Sequence, residues 1–335
     1  MHALEEVFEK LVASRTIPGF AFATLRAGCM AEARVFGTRG SHDDAPVDTH
    51  TVFEAASLTK PVVSWIALQL AEEGVLNLHV PLFDICGEYL PDDARARQIT
   101  AFYILSHTSG LPNIVREDAP LKTYFPPGER FSYGSSAFAW LQRAMQKLTG
   151  LSLEAMAQQR VFKPLGMHDS SLEWQERFST NHAQGHEWEG EAVPKRRVAT
   201  AQASWSLLTT ATDYLRFIQA VQSAQNLTPQ MHARWFERVV AVRQDEDPED
   251  LAGVHPPSEH VAWGLGWGLE PSQNCFFHWG HSPGFRAYVL GNRVTQDAVV
   301  WFANSARGLR LAHLLLPAAV PGEHPSVQWL QIGQL

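Results

Sequence analysis

Phe53-Glu54-Ala55-Ala56-Ser57-Leu58-Thr59-Lys60-Pro61-Val62-Val63-Ser64-Trp65-Ile66-Ala67-Leu68-Gln69-Leu70 is the stretch on which the reading of this chain turns. Val62, Ile66 and Leu70, flanked by Val63 and Ala67, recur at helical spacing and predict a buried helix. Pro61 is compatible only with the first turn of that helix, where a missing N–H costs little. Ser57 therefore falls at the helix N-terminus, and Lys60 lies one turn on, facing the same way. A serine hydroxyl is a weak nucleophile that needs a neighbouring base, and a lysine desolvated by apolar surroundings can have its pKa lowered enough to serve. The helix N-terminus adds partial positive charge and free N–H groups, which favour the negative charge of an attacked acyl group. Ser-x-x-Lys alone is a common spacing whose plain reading is a solvated helix start. The rest of the chain decides between the two.

Composition narrows the classes. The 335 residues are 45% hydrophobic and 19% charged, which suits one large globular domain or two coupled ones. A formal charge of −8 argues against nucleic acid or an anionic membrane as a partner. Three cysteines, Cys29, Cys86 and Cys275, are too few and scattered for a disulfide framework or a zinc cluster. No apolar run reaches the roughly 20 residues of a membrane span. The first residues read as an amphipathic helix with Leu4, Val7, Phe8 and Leu11 on one face rather than as a signal peptide, so a cytoplasmic location is expected.

Pattern then places the elements. Phe20–Leu25 and Cys29–Phe36, joined at Gly28, predict a β-hairpin. Helices are expected up to Ser106, over Phe138–Leu148 with Gly150 as the stop, over Leu153–Phe162, and after Thr210-x-x-Asp213, which resembles a capping box. Arg243–His260 is polar and Pro-containing, a surface insertion. Val261–Leu269, Cys275–Trp279, Arg286–Leu290 and Asp297–Asn304 read as strands, and Ala306–Leu316 as a closing helix. Strands at both ends with helices between predict one mainly antiparallel sheet completed by both termini.

Ser57-Leu58-Thr59-Lys60, Tyr133-Gly134-Ser135 and His278-Trp279-Gly280, taken in this order, together resemble the motifs of the serine β-lactamase and penicillin-binding-protein superfamily, in its class C-like, family VIII carboxylesterase branch. Ser57-Leu58-Thr59-Lys60 is similar to the first motif. Tyr133-Gly134-Ser135 resembles the second, with serine in the third place. His278-Trp279-Gly280 is similar to the third, commonly Lys-Thr-Gly. Leu105–Pro112, Phe131–Gly134, Lys163–Met167, Leu208–Asp213 and Gly264–Trp267 match connecting text in the family's order. The resemblance implies an α/β (α+β) β-lactamase-like fold: a discontinuous sheet domain of residues 1–75 and 224–335, a mainly helical domain of 76–223, and the site between them. It implies a cofactor-free, metal-free hydrolase acting on a small-molecule ester or amide. Ser57 would be the nucleophile, and Lys60 and Tyr133 the proton carriers, with cationic charge beside Tyr133 needed to depress the phenol. The backbone amides of Ser57 and His281 would form the oxyanion hole.

Departures bear on the substrate. His278 stands where a permanent cation would pair with a β-lactam carboxylate. Ser135 replaces an amide side chain, and Trp205-Ser206 stands where relatives often have Gly-Gly, so an indole there either narrows the cleft or is core. With Trp279 and Gly280 these are the candidate substrate-binding residues, and together they favour uncharged esters. β-Lactamase, D-amino-acid peptidase, acyltransferase and a non-catalytic penicillin-recognising relative are the alternatives.

Two further motifs compete. Gly280-His281-Ser282-Pro283-Gly284 matches a nucleophile elbow, with Asp297 and His313 following in order, but strand–turn–strand is the wrong context. His182 and His186 with Glu187 and Glu189 suggest metal, yet glycines make this a loop without a complete ligand set. Arg286 reads as a surface strand residue that could reach an acidic group.

Overall fold

The computed structural model describes residues 2–40, 43–115, 117, 120–242 and 258–333. Strands from both ends of the chain meet in one sheet. β1 (Gly19–Arg26) and β2 (Cys29–Gly40) form the expected hairpin, and β3 (Asp43–Pro46) is added at its edge. β4 (Phe53–Ala56) and β5 (Leu207–Thr209) pair with each other in a small separate ladder. The chain returns to the main sheet through β6 (Val240–Ala241), β7 (Ala262–Trp263), β8 (Gly268–Glu270), β9 (Cys275–Ser282), β10 (Phe285–Asn292) and β11 (Ala298–Ala303). Among the described residues the main sheet has nine strands in the order β3-β2-β1-β11-β10-β9-β8-β7-β6, each pair antiparallel. β1 lies against β11, with Phe20 opposite Ala303 and Ala23 opposite Val300, so both ends of the chain close the sheet.

Both sheet faces are covered, which is why the strands read as near-continuous apolar runs. Ala21, Ala23, Ala287, Val289, Val300 and Phe302 pack with the helical side of the molecule. Phe20, Phe22, Tyr288, Leu290, Val299 and Trp301 point the other way, the period of two expected of strands. That second face is covered by α1 (His2–Ala13) through Phe8. The first face packs on the long α2 (Thr59–Glu72), with α3 (Leu82–Cys86), α4 (Ala101–Leu105), α5 (Phe138–Thr149), α6 (Leu153–Ala157), α7 (Ala211–Gln222) and α8 (Pro229–Trp235) around it. α9 (Ala312–Ala319) and α10 (Pro325–Trp329) return to the second face through Leu315, Leu316 and Trp329.

α2 is buried over Thr59–Leu70, so its sequence is apolar all round instead of striped. Lys60 goes into the interior with it. α6 runs on into a π-helical turn over Gln158–Phe162, and Gly150 ends α5 in the left-handed conformation. The Thr210 side chain caps α7 by accepting from Asp213 N, but the Asp213 carboxylate accepts from Asp169 N and Ser170 Oγ instead of returning the bond. Residues 261–269 are not one strand. They form the β7–β8 hairpin, turned at Gly266, whose φ is +95° and where a Cβ would strike Ser64 Oγ of α2. Most of the Arg243–His260 insertion lies outside the described residues. No helix among the described residues is long and apolar enough to cross a membrane.

Candidate active site

The turn from β4 to α2 carries Ser57. Ala56 adopts φ +49°, a left-handed conformation unusual for alanine. The turn is held by Thr59, whose hydroxyl donates to the Ala56 carbonyl at 2.6 Å and accepts from Leu207 N at 2.9 Å, tying α2 to β5. Ser57 is partly exposed at this corner. Lys60, one turn on, has its Nζ 3.0 Å from Ser57 Oγ and donates to the Ser204 carbonyl at 2.9 Å. The lysine is fully buried, and among the described residues no carboxylate pairs with it. Burial alone pushes its pKa well below the ordinary lysine value. An amine so placed can give one N–H to Ser204 and turn its lone pair to the Ser57 hydroxyl.

Tyr133 joins them from the segment before α5. The Lys60 Nζ lies 5.0 Å from the centre of the Tyr133 ring. The Ser57 hydroxyl is close enough to act on the Tyr133 phenol, yet Tyr133 Oη has no partner of full hydrogen-bond geometry among the described residues. A depressed phenol, the expectation from sequence, is not found. Burial pushes the Tyr133 pKa up, only partly offset by Ser57, so the group stays a phenol at neutral pH.

The third motif runs along β9. His278 is buried, with Nδ1 2.9 Å from both the amide nitrogen and the carbonyl oxygen of Trp279, and burial pushes it down to about 3. It is neutral where a family lysine would be charged. Trp279 packs 4.9 Å from the Tyr133 ring. Gly280 has no room for a side chain, because a Cβ would lie 2.3 Å from the Ala55 carbonyl of β4. The β8–β9 register ends at Gly268 and Phe277, so beyond it this edge of β9 has no strand beside it from β8. Trp279 N turns to the His278 imidazole instead of to β10, and the period of two puts the His281 amide on the same open edge. The His281 side chain is exposed and is pushed down to about 4 by desolvation and the nearby Arg286.

The remaining candidates divide. Ser135 Oγ donates to Asn113 Oδ1 at 2.6 Å, a partner that sequence did not single out. Trp205, next to the Ser204 carbonyl that holds Lys60, lies under the Arg196 guanidinium at 4.9 Å. Arg196 is paired with the buried Glu54 and bonded to Ser282, which itself donates to Glu54 at 2.7 Å. That network, and the β9–β10 hairpin around it, remove Ser282 as a nucleophile. Asp297 accepts from Ala27 N and pairs with Arg26, and His313 meets the carbonyls of Ile332 and Gly333, so no triad assembles. Arg286 is not a surface residue: it is buried and donates to the Ser282 and Phe285 carbonyls. His182 is buried beside Trp174, and His186 is bound to the Asn304 carbonyl, so the two do not converge on a metal. A different trio, Glu270, Cys275 and His324, does converge, but both His324 nitrogens are engaged, by Glu270 and the Val320 carbonyl.

A family model described as Beta-lactamase matches residues 4–319, and the chain belongs to that family. It is 26% identical to Esterase EstB of Burkholderia gladioli over 79% of this chain and 78% of that protein. It is 30% identical to Penicillin-binding protein 4 of Amycolatopsis lactamdurans over 50% of this chain, spanning about half (48%) of that protein's length. A solved class C β-lactamase superposes with TM-score 0.77, 20% identity and 96% coverage of both chains, a likeness of fold.

Proposed function

We propose that this chain is a serine hydrolase acting through an acyl-enzyme on small, uncharged carboxylic esters. One observation carries the proposal: a buried amine, with no carboxylate partner among the described residues, 3.0 Å from the hydroxyl of Ser57 at the mouth of a helix. As Ser57 Oγ attacks the ester carbonyl carbon, its proton passes to Lys60. The developing oxyanion sits against the amides of Ser57 and His281. Tyr133, kept protonated by burial, delivers a proton to the departing alkoxide and is reprotonated from Lys60, so it relays instead of standing ready as a phenolate. Water then attacks the acyl-enzyme with the same pair as base, the acyl–Oγ bond breaks, and Ser57 regains its proton. Ser135, Trp205, His278, Trp279 and Gly280 would border the substrate.

The preference for uncharged acyl groups rests on charge. His278 is neutral, Lys60 is committed to Ser57 and Ser204, and Arg196 is compensated by Glu54. The similarity to EstB agrees with this choice. Intact-mass measurement after brief incubation with p-nitrophenyl acetate should give an acetyl adduct on wild type and none on Ser57→Ala. A full-speed alanine variant would end the proposal. β-Lactam turnover is the second reading, favoured by the class C likeness, and nitrocefin hydrolysed far faster than p-nitrophenyl acetate would establish it. A peptidase or acyltransferase would be revealed by an amine or alcohol acceptor that outcompetes water. A non-catalytic relative would take up acyl groups without release, or not at all.

A further inference from the structure

We propose that His107 is a positioning residue for Tyr133, an inference that rests on the hydrolase reading above. His107 is buried at the end of α4 and adopts φ +54°, a left-handed backbone uncommon for a residue with a side chain. Its carbonyl accepts from Ser132 N at 2.8 Å and its imidazole Nδ1 accepts from Gly134 N at 3.0 Å. The two residues flanking Tyr133 are therefore both fastened to His107, one by main chain and one by side chain. The imidazole also stacks on the Tyr133 ring, with centroids 4.3 Å apart and planes 26° from parallel. Behind it, Trp263 lies edge-on at 5.1 Å and Phe138 at 5.6 Å, so the imidazole cannot swing away.

The grip needs a neutral imidazole, because Nδ1 must present a lone pair to Gly134. Burial, with Lys60 and His278 close by, holds the ring neutral. An apolar ring of the same size would keep the stack and leave the Gly134 amide without an acceptor. The His107 side chain bonds to the Gly134 amide and stacks on the Tyr133 ring, with no hydrogen bond to Ser57 or Lys60 among the described residues; it acts by fixing where the phenol points.

The test compares single-turnover acetylation of Ser57 by p-nitrophenyl acetate in wild type, His107→Asn, His107→Phe, Tyr133→Phe and the variant carrying both phenylalanine changes. His107→Phe should slow acylation about 10- to 100-fold with KM within about twofold, the loss typical of a small misplacement. His107→Asn should restore the rate to within about threefold, since the amide Oδ1 sits where Nδ1 does and asparagine tolerates positive φ. On the Tyr133→Phe background the His107→Phe change should cost nothing further. Equal rates for His107→Phe and wild type, or a loss that persists in full on that background, would overturn the assignment. If His107→Phe does not fold, His107→Gln replaces it. Its carbonyl reaches the far side of the ring position, so it should be slower than His107→Asn, and equality of the two counts against the grip. A crystal structure of the slow variant gives a readout independent of turnover: a displaced Tyr133 ring supports the role and an unmoved one refutes it. Absence of acylation in wild type would instead sink the hydrolase reading, leaving that structure to decide the role of His107.

Discussion

The pH dependence of acylation follows from the surroundings of Lys60. In water a lysine has a pKa near 10.4, so only about one amine in 2,500 is neutral at pH 7, and each unit of downward shift returns about tenfold in active base. Lys60 is fully buried and has no carboxylate partner among the described residues, so its pKa is displaced well downward by desolvation. The profile of kcat/KM for p-nitrophenyl acetate should therefore fall by one log unit per pH unit below a value displaced well down from that of a free lysine, and be flat above it. His278 is held at about 3 and His281 at about 4, while burial keeps His107 well below its ordinary value, so an acid limb above the ordinary imidazole value of about 6.5 belongs to Lys60. Lys60→Met should lower kcat/KM by about 10²- to 10⁴-fold, the usual worth of a general base, and remove that limb. The same substitution should stabilise the fold. The unfolded lysine binds a proton up to about pH 10.4, and the folded one releases it lower, so wild-type stability rises with pH across that window. Lys60→Met removes this dependence, and its higher melting temperature at pH 7 should shrink toward wild type above about pH 10. A limb centred near 10, or a methionine variant within tenfold of wild type, would refute the role given to the amine.

Three further changes have expected outcomes. His278→Lys places a cation where the neutral imidazole now lies, and should raise nitrocefin turnover relative to p-nitrophenyl acetate by about tenfold, roughly 1.4 kcal/mol; an unchanged ratio would separate substrate choice from this position. Gly280→Ala sets a Cβ 2.3 Å from the Ala55 carbonyl and must push β9 from β4, so kcat should fall about 10²-fold even where circular dichroism stays native. His324→Leu strips the cation from the buried Glu270, which also accepts from Ser326 N, and should cost roughly 3–5 kcal/mol in chemical denaturation at pH 6. Burial lowers the His324 pKa, but Glu270 and the Val320 carbonyl more than offset this and raise it overall, so the wild-type contribution is full below about 6.5 and is lost as pH rises through the raised value, and the gap between the two proteins should narrow at pH 9.

Local periodicity carried much of the fold. Helix spacing alone brought Ser57 and Lys60 to one corner, because residues three apart on a helix share a face whatever surrounds them. The β1–β2 hairpin and the sheet's closure by both termini were legible for a similar reason: alternation marks strands, and short turns pair them. The β7–β8 turn was missed because Val261-Ala-Trp-Gly-Leu-Gly-Trp-Gly-Leu269 is apolar throughout, and only contact with Ser64 reveals why Gly266 must be glycine. Arg286 was misread because a buried arginine looks like an exposed one until its carbonyl partners are known.

Polar partners distant in sequence were the least legible, and they decide the chemistry of the site. Nothing in the run around Ser204 marks its carbonyl as the acceptor that orients Lys60, since every residue has a carbonyl. Glu54 reads as one polar position in a short strand, yet it neutralises Arg196, a cation that would otherwise stand beside Trp205 and Ser282 and invite an anionic substrate. Removing that carboxylate by Glu54→Gln should therefore leave Arg196 uncompensated and move preference toward substrates bearing a carboxylate. An unaltered preference, measured by competition between neutral and succinylated p-nitrophenyl esters, would mean that Arg196 points its charge away from the bound acyl group and that substrate charge is selected elsewhere.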